Sequence, residues 1–297
     1  MFKKIWRGKY SKYFKIFSVI LILLTCYLLI LDKIVYSIIY NIAIVPSFSD
    51  SESNYSNFLN PIQRKKYQNC KILSSDNHNV IVVKNNNKKS AIAFYHGNAM
   101  TNLDNLCCWL DFLEEFKLNG VFIECPDKNG IKNKYTEKNL NVTIKKSIEA
   151  IEKEHLKIEY SIGYSLGTYP VIKTGIKEEV KKIFLIAPFT TLEEIILEKI
   201  PKFFYFERKA VKRVCKKHFN FNNLSSLRDY KNDLYLYHGF NDNIIPFSNS
   251  ETIKETLKNK GNIRVNLIKQ ETNHNDILGK KLFENILKLC DENELNE

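Results

Sequence analysis

The stretch that decides the fold reads Ile162-Gly163-Tyr164-Ser165-Leu166-Gly167-Thr168. It ends an apolar segment of strand type and opens a segment of helical type, so it predicts a sharp strand-to-helix turn with a serine at its apex. Glycines at 163 and 167 suit such a turn, because residues without side chains let a strained backbone close and let the adjacent elements pack. This G-x-S-x-G nucleophile elbow makes Ser165 a candidate nucleophile.

Strand and helix patterns alternate on both sides of that turn, which predicts an α/β fold. Apolar runs predict strands at 67–73, 80–83, 91–95, 121–124, 158–162, 183–187, 233–238 and 263–268, and longer patterns predict helices at 102–118, 142–154 and 276–290. Short connections between these segments imply a mostly parallel central sheet with helices on both faces. We therefore expect one catalytic domain over residues 64–297, with the aromatic and basic stretch 192–225 as a cap over its site.

A serine hydroxyl is a weak nucleophile, so the pattern needs a base and an acid that orients the base. Asp242 follows the 233–238 strand, in the loop region where the sites of parallel sheets form. His274 is the only one of the six histidines that follows Asp242, and it stands between the last strand and the last helix. The chain order Ser165, Asp242, His274 is the one expected after such an elbow.

Alternative roles exist for the polar residues near these positions. Asp242 could instead be a turn or cap residue, and His274 an exposed loop histidine. We interpret Asp276 as a helix cap rather than as the acid of the triad. His96 and His238, each at a strand end, are interpreted as structural histidines.

Acyl transfer also needs amide donors for a developing oxyanion. One amide usually belongs to the residue after the serine, here Leu166, and the other to the loop after the third strand. That loop carries Asn98, directly after the 91–95 run. The sequence thus predicts an oxyanion hole from the amides of Asn98 and Leu166.

Four short strings give the chain a family resemblance: H-G-N-A at 96–99, G-Y-S-L-G at 163–167, H-G-F-N-D at 238–242 and N-H-N-D at 273–276. Over residues 65–290 it resembles the α/β-hydrolase superfamily, in particular its ABHD and Bem46-like serine hydrolases. The resemblance implies the α/β-hydrolase fold, catalytic Ser165, Asp242 and His274, and oxyanion amides at Asn98 and Leu166. Some members carry a similar amino-terminal membrane anchor.

Two departures from the family pattern concern the walls of the site. Relatives usually have an arginine- and glycine-rich loop where this chain has Cys125-Pro126-Asp127-Lys128-Asn129-Gly130. Asn273 stands before His274, where glycine is common. Neither departure removes a catalytic group.

The amino-terminal segment has the charge pattern of a membrane anchor. Residues 1–15 carry six cations and residues 16–31 carry no charge, which predicts a transmembrane signal anchor at 16–38 followed by a linker at 39–63. A cleaved signal peptide would need a small-x-small cleavage site, which is missing. A buried helix of the soluble domain fits poorly with six cations in front of it. No basic residue lies between Lys33 and Arg64, so we expect a cytoplasmic amino terminus and a non-cytoplasmic catalytic domain.

Composition narrows the functional classes. The net charge of +12 comes from lysines spread along the chain without a nucleic-acid motif, so we predict no nucleic-acid partner. Seven cysteines without a C-x-x-C pair argue against a structural zinc site. The sequence implies no other metal and no organic cofactor.

These observations predict a membrane-bound serine hydrolase that cleaves carboxylic esters or thioesters, with acyl lipids as substrates and a role in lipid metabolism. A depalmitoylase or other thioesterase that acts on acylated protein is an alternative, and a peptidase is a weaker one. A silent hydrolase domain that serves as a membrane-tethered binding module is a third alternative, against which the intact triad counts.

Overall fold

The computed structural model describes residues 2–43, 68–75, 78–98, 102–125, 135–258 and 263–291. Its centre is one sheet of eight strands in the order β1-β2-β4-β3-β5-β6-β7-β8. The strands are β1 (Cys70–Ser75), β2 (His78–Val83), β3 (Ser90–Tyr95), β4 (Asn119–Ile123), β5 (Lys157–Tyr164), β6 (Lys182–Ile186), β7 (Asp233–Gly239) and β8 (Val265–Gln270). Strands β1 and β2 pair antiparallel, and the other six are parallel, which confirms the predicted mostly parallel sheet.

Helices cover both faces of this sheet, as predicted. The helices of the described residues are α1 (Phe2–Ile38), α2 (Asn102–Glu115), α3 (Glu137–Lys153), α4 (Thr168–Lys177), α5 (Leu192–Glu198), α6 (Tyr205–His218), α7 (Asn223–Ser226), α8 (Ser248–Lys258) and α9 (Lys280–Asp291). Helices α2 and α9 pack together on one face, and α3, α4, α6 and α8 contribute to the apolar core on the other. The predicted α/β fold class is confirmed.

The central strands are apolar on both sides because both of their faces are covered. In β6, Ile183 and Leu185 enter the core under α3 and α4, whereas Phe184 and Ile186 enter the core under α2 and α9. All five side chains of this strand are buried. A strand of this kind has a continuous apolar sequence, and that sequence is the reason it could be predicted.

The first residues of two helices differ from the prediction, and α2 ends at Glu115 rather than 118. Helix α3 begins at Glu137 rather than 142, because the hydroxyl of Thr136 accepts a hydrogen bond from the Asn139 amide and caps a polar first turn. Helix α9 begins at Lys280, so the interpretation of Asp276 as a helix cap is wrong. Asp276 lies in a turn four residues earlier, where its amide donates to Asn273 Oδ1 at 3.0 Å.

Helix α1 continues into a π-helical turn, Ile39–Ala43. Among the described residues, Tyr13–Asn41 is the one helical stretch long and apolar enough to cross a membrane. Side chains from Tyr13 to Ile30 are mostly exposed, whereas Leu31, Val35 and Ile39 are buried against the domain. The start of the predicted linker, 39–43, is thus helical, and its remainder, 44–63, lies outside the described residues.

The stretch 192–225, expected to form a cap, is a helical insertion between β6 and β7. It contains α5 and α6, which pack against each other, and a short bridge between Thr191 and Asn222 closes its base. Its position over the active site stays a prediction.

Candidate active site

The predicted elbow is a strained turn between β5 and α4. Ser165 follows the last residue of β5 and has a φ of 52°, in the left-handed region that non-glycine residues rarely adopt. A side chain at Gly163 would place its Cβ 2.5 Å from the Gly167 carbonyl oxygen, and one at Gly167 would place its Cβ 2.4 Å from the His96 oxygen. Both glycines are therefore required by close backbone approach.

The structure brings the three predicted triad residues together. His274 Nδ1 lies 2.6 Å from Asp242 Oδ2, and His274 Nε2 lies 3.1 Å from Ser165 Oγ. All three residues are buried. Because an ionised carboxylate only accepts, Nδ1 carries the proton that it donates to Asp242, which leaves Nε2 free to accept the serine proton.

Asp242 is held as an ionised carboxylate. Its Oδ1 accepts hydrogen bonds from the amides of Ile244 at 2.9 Å and Ile245 at 2.8 Å, while Oδ2 faces His274. Burial by itself raises the pKa of Asp242, but hydrogen bonds from His238, His274 and the Ile245 amide outweigh it and hold that pKa well below its usual range. The acid therefore stays charged at neutral pH.

His238 supports the loop that carries this acid. The side chain is fully buried, with Nδ1 2.7 Å from the Ser250 hydroxyl and Nε2 donating to the Ile245 carbonyl at 2.9 Å. Its Nε2 also lies 3.4 Å from Asp242 Oδ2. These contacts match the structural role expected from the sequence.

His96 supports the opposite side of the site. Its Nε2 lies 2.9 Å from Glu124 Oε1, and its Nδ1 donates to the Gly97 carbonyl at 2.7 Å. Burial disfavours the charged ring, but the carboxylate of Glu124 outweighs it and raises the pKa of His96 well above its usual value. His96 thus ties the loop after β3 to the end of β4.

Both predicted oxyanion residues adjoin the serine along the chain or in space. Leu166 directly follows Ser165, and Asn98 follows Gly97. A Cβ placed on Gly97 would lie 2.6 Å from the Tyr164 ring and 3.5 Å from Ser165 Cβ, so this loop packs directly against the elbow. The donor role of the two amides stays a prediction.

Sequence reasoning missed two groups that hold the site together. The Tyr164 hydroxyl lies 3.1 Å from both the His274 carbonyl and Asn275 Oδ1, across 110 residues of sequence. The Thr168 hydroxyl donates to the Ser165 carbonyl at 2.6 Å and accepts from Asn223 at 2.9 Å. Tyr164 belongs to the quoted motif, but nothing in the sequence signals that its hydroxyl reaches the histidine loop.

The two departures from the family pattern have different outcomes. Asn273 Oδ1 accepts hydrogen bonds from the amides of Asn275 and Asp276, both at 3.0 Å, so it organises the turn that carries His274. Cys125 is buried at the end of β4, and 126–134 lie outside the described residues. In the part of the chain that the structure describes, no three His, Cys, Asp or Glu side chains form a candidate metal site.

Comparisons with known proteins find similarity in structure only. No family model matches the sequence, and no curated protein matches it. An esterase from Pyrococcus furiosus, Pf2001, is 17% identical with a TM-score of 0.57, covering 77% of this chain and 93% of its own. The esterase Est1E from Butyrivibrio proteoclasticus is 15% identical with a TM-score of 0.55, and the match covers 77% of this chain and 98% of the Est1E chain.

A mammalian protein extends the same similarity. Alpha/beta hydrolase domain-containing protein 10 from mouse is 15% identical, with a TM-score of 0.51, and the match covers 75% of this chain and 97% of the mouse chain. At such identities the likeness establishes the architecture and leaves the activity to the residues of the site. Sheet order, strained serine turn and these neighbours together establish that the chain has the α/β-hydrolase fold.

Proposed function

We propose that this protein is a serine hydrolase that cleaves carboxylic esters or thioesters through an acyl-enzyme on Ser165. The observation that carries the proposal is the hydrogen-bonded series from Asp242 through His274 to Ser165, with distances of 2.6 and 3.1 Å, at the apex of the elbow. The esterase names of the structural neighbours agree with this reaction class. Within the superfamily, the motifs resemble those of ABHD and Bem46-like hydrolases.

The reaction follows from the roles of these side chains. Ser165 Oγ attacks the acyl carbonyl carbon while His274 Nε2 accepts the hydroxyl proton, and Asp242 stabilises the imidazolium that forms. The amides of Leu166 and Asn98 receive the negative charge on the carbonyl oxygen. The tetrahedral intermediate collapses as the leaving alcohol or thiol takes the proton from His274. Water, deprotonated by the same ring, then releases the acid and restores Ser165.

We further propose that α1 anchors the protein in a membrane and that the substrates are acyl lipids. Support comes from the apolar Tyr13–Asn41 stretch and from the cap region, where α6 carries six cations and one acid. The cation-rich amino terminus favours a cytoplasmic location for residues 1–15 and a non-cytoplasmic catalytic domain. Apolar and basic surface beside a bilayer suits substrates with acyl chains and anionic headgroups.

The test is hydrolysis of p-nitrophenyl esters of graded chain length by detergent-solubilised protein, beside Ser165→Ala. We expect activity in the wild type and none in the variant. A preference for long acyl chains, with hydrolysis of phospholipid or monoacylglycerol in liposomes, would support a lipid substrate. Cleavage of short esters alone would refute the lipid part, and no hydrolysis of any ester or thioester would refute the enzymatic proposal.

A further inference from the structure

Helix α1 is docked along its second half to α6 of the cap region. The Tyr27 hydroxyl donates to a Glu207 carboxylate oxygen at 2.6 Å. Five residues later Asp32 forms a two-point ion pair with Arg213, at 3.1 Å from Nε and 2.6 Å from Nη2. Tyr36 then stacks on Phe219, with ring centroids 5.3 Å apart. Because the contacts advance in the same direction on both helices, α1 and α6 run parallel and side by side.

The register of this contact fixes the depth of α6 relative to the apolar run of α1. The uncharged residues 16–31 extend about 24 Å along a helix, and Asp32 is the first charged residue after them. The Asp32–Arg213 pair therefore marks the end of the apolar run. Tyr27 lies about 7 Å back from Asp32 inside that run, and Glu207 contacts it there.

The residues that precede Glu207 therefore lie beside the apolar run rather than above it. They are four consecutive aromatics, which we call the aromatic tip: Phe203, Phe204, Tyr205 and Phe206, with exposed fractions of 79%, 42%, 56% and 46%. Exposed lysines flank the tip at 199, 202 and 209, and the Lys209 ammonium lies 4.6 Å from the centre of the Tyr205 ring. Aromatic rings beside cations are the composition found at membrane interfaces.

We infer that the aromatic tip inserts into the same lipid bilayer as α1, at the interfacial depth of the leaflet that faces the catalytic domain. The inference rests on the proposed membrane anchor. The flanking lysines then lie at the headgroups, where anionic lipids attract them. Helix α1 and the tip form one continuous lipid-contacting surface, and the Asp32–Arg213 pair fixes the height of the catalytic domain above the bilayer.

The test measures the depth of a tryptophan at the tip in vesicles. Full-length Phe204→Trp protein is reconstituted into phosphatidylcholine and phosphatidylserine vesicles, and the native tryptophan signal is subtracted. Val142→Trp on α3 is the matched control, because Val142 is exposed to 43% and Phe204 to 42%. We expect Phe204→Trp to be quenched by phospholipids brominated near the headgroup end of the acyl chain and protected from iodide. Val142→Trp should show the reverse.

Two further outcomes distinguish failure of this inference from failure of the proposed membrane anchor. In the first outcome, the protein floats with the vesicles, but iodide quenches the fluorescence of Phe204→Trp as strongly as that of Val142→Trp. That result would overturn the inference alone and leave the tip free for a protein partner. Failure to float after carbonate washing would overturn the anchor and the inference together. Ester hydrolysis in detergent tests the serine mechanism independently of both.

A charge swap tests the part played by the ion pair. Asp32→Arg alone or Arg213→Asp alone should reduce bromolipid quenching of Phe204→Trp, since each places like charges together. The combination of Asp32→Arg and Arg213→Asp should restore the quenching. Equal quenching in all three backgrounds would contradict the fixed height.

Discussion

Ser165, the nucleophile of the proposed reaction, is positioned by its hydrogen-bond partners and by the backbone that carries it. The positive φ at this residue costs free energy that the surrounding packing must offset, and it directs Oγ towards His274. The carbonyl of Ser165 is fixed in turn by the Thr168 hydroxyl at 2.6 Å. The hydroxyl and the carbonyl of Ser165 thus each have an assigned partner.

Substitution of the acid tests the orientation of the base. Asp242→Asn keeps an oxygen for the amides of Ile244 and Ile245 but removes the charge and the tautomer preference that Asp242 imposes on His274. We expect kcat to fall about 10³–10⁴-fold while the fold is retained. Steady-state ester hydrolysis checks this, with Asp276→Asn as the matched control, since Asp276 is exposed and two residues from His274. Comparable losses in the two variants would contradict the assignment of the acid.

Substitution of His238 tests whether this side chain positions the loop that carries Asp242. His238→Ala leaves the Ser250 hydroxyl and the Ile245 carbonyl without their buried partner, which should cost about 2–3 kcal/mol in the free energy of unfolding. Because the acid loop then loses its fixed position, kcat should fall about 10–100-fold with little change in KM. Ser250→Ala, which removes one hydrogen bond and keeps the ring, should retain near wild-type kcat. Urea unfolding and ester hydrolysis measure both effects, and an unchanged kcat in His238→Ala would refute the positioning role.

At the scale of elements, the elbow depends on the contact between the β5–α4 turn and the end of β3. A methyl group at Gly167 would lie 2.4 Å from the His96 oxygen and 2.5 Å from the Tyr95 oxygen, both of them backbone atoms that cannot move aside cheaply. The same approach sets the loop that carries Asn98 against Ser165. Packing at this one contact therefore supports both the stability of the fold and the position of the loop that carries Asn98.

Gly167→Ala tests that contact. We expect a loss of about 3 kcal/mol in the free energy of unfolding, by overpacking, and a large fall in kcat. Gly279→Ala is the control, because nothing lies within 4 Å of the position where its Cβ would be. Thermal unfolding and hydrolysis assays compare the two, and equal stability of both variants would contradict the close approach.

At the scale of the whole molecule, the partly buried ion pair between His96 and Glu124 links the ends of two parallel strands, β3 and β4, and its stability depends on pH. The pKa of His96 is higher in the folded protein than in the unfolded chain, where it is about 6.5. The pair therefore stabilises the fold fully below the unfolded pKa, and this stabilisation is lost as the pH rises through the folded pKa. Glu124→Gln removes a principal cause of that raised pKa. The variant should therefore be less stable by about 3 kcal/mol at pH 6, with a smaller deficit at alkaline pH. Denaturant unfolding at both pH values checks the sign, and a constant difference would contradict it.

Most of the sheet was predictable because its strands are continuous apolar runs, and the order of Ser165, Asp242 and His274 was predictable because few histidines compete. The start of α3, set by the single hydrogen bond to the Thr136 hydroxyl, was not predictable, and neither was the start of α9 at Lys280. Long-range contacts such as Tyr164 with the histidine loop leave no periodic signal in the sequence. The parallel packing of α1 on α6 also depends on contacts about 180 residues apart, so the sequence predicted the apolar helix without its docking.

The central claim is that Ser165 is the activated nucleophile, and covalent labelling with a fluorophosphonate probe tests it most directly. Tryptic peptides of the labelled protein should carry one adduct, and fragmentation should place it on Ser165 rather than on Ser161, a fully buried serine of β5 in the same peptide. Ser165→Ala should carry none. An unlabelled wild type, or an adduct that persists in Ser165→Ala, would contradict the account.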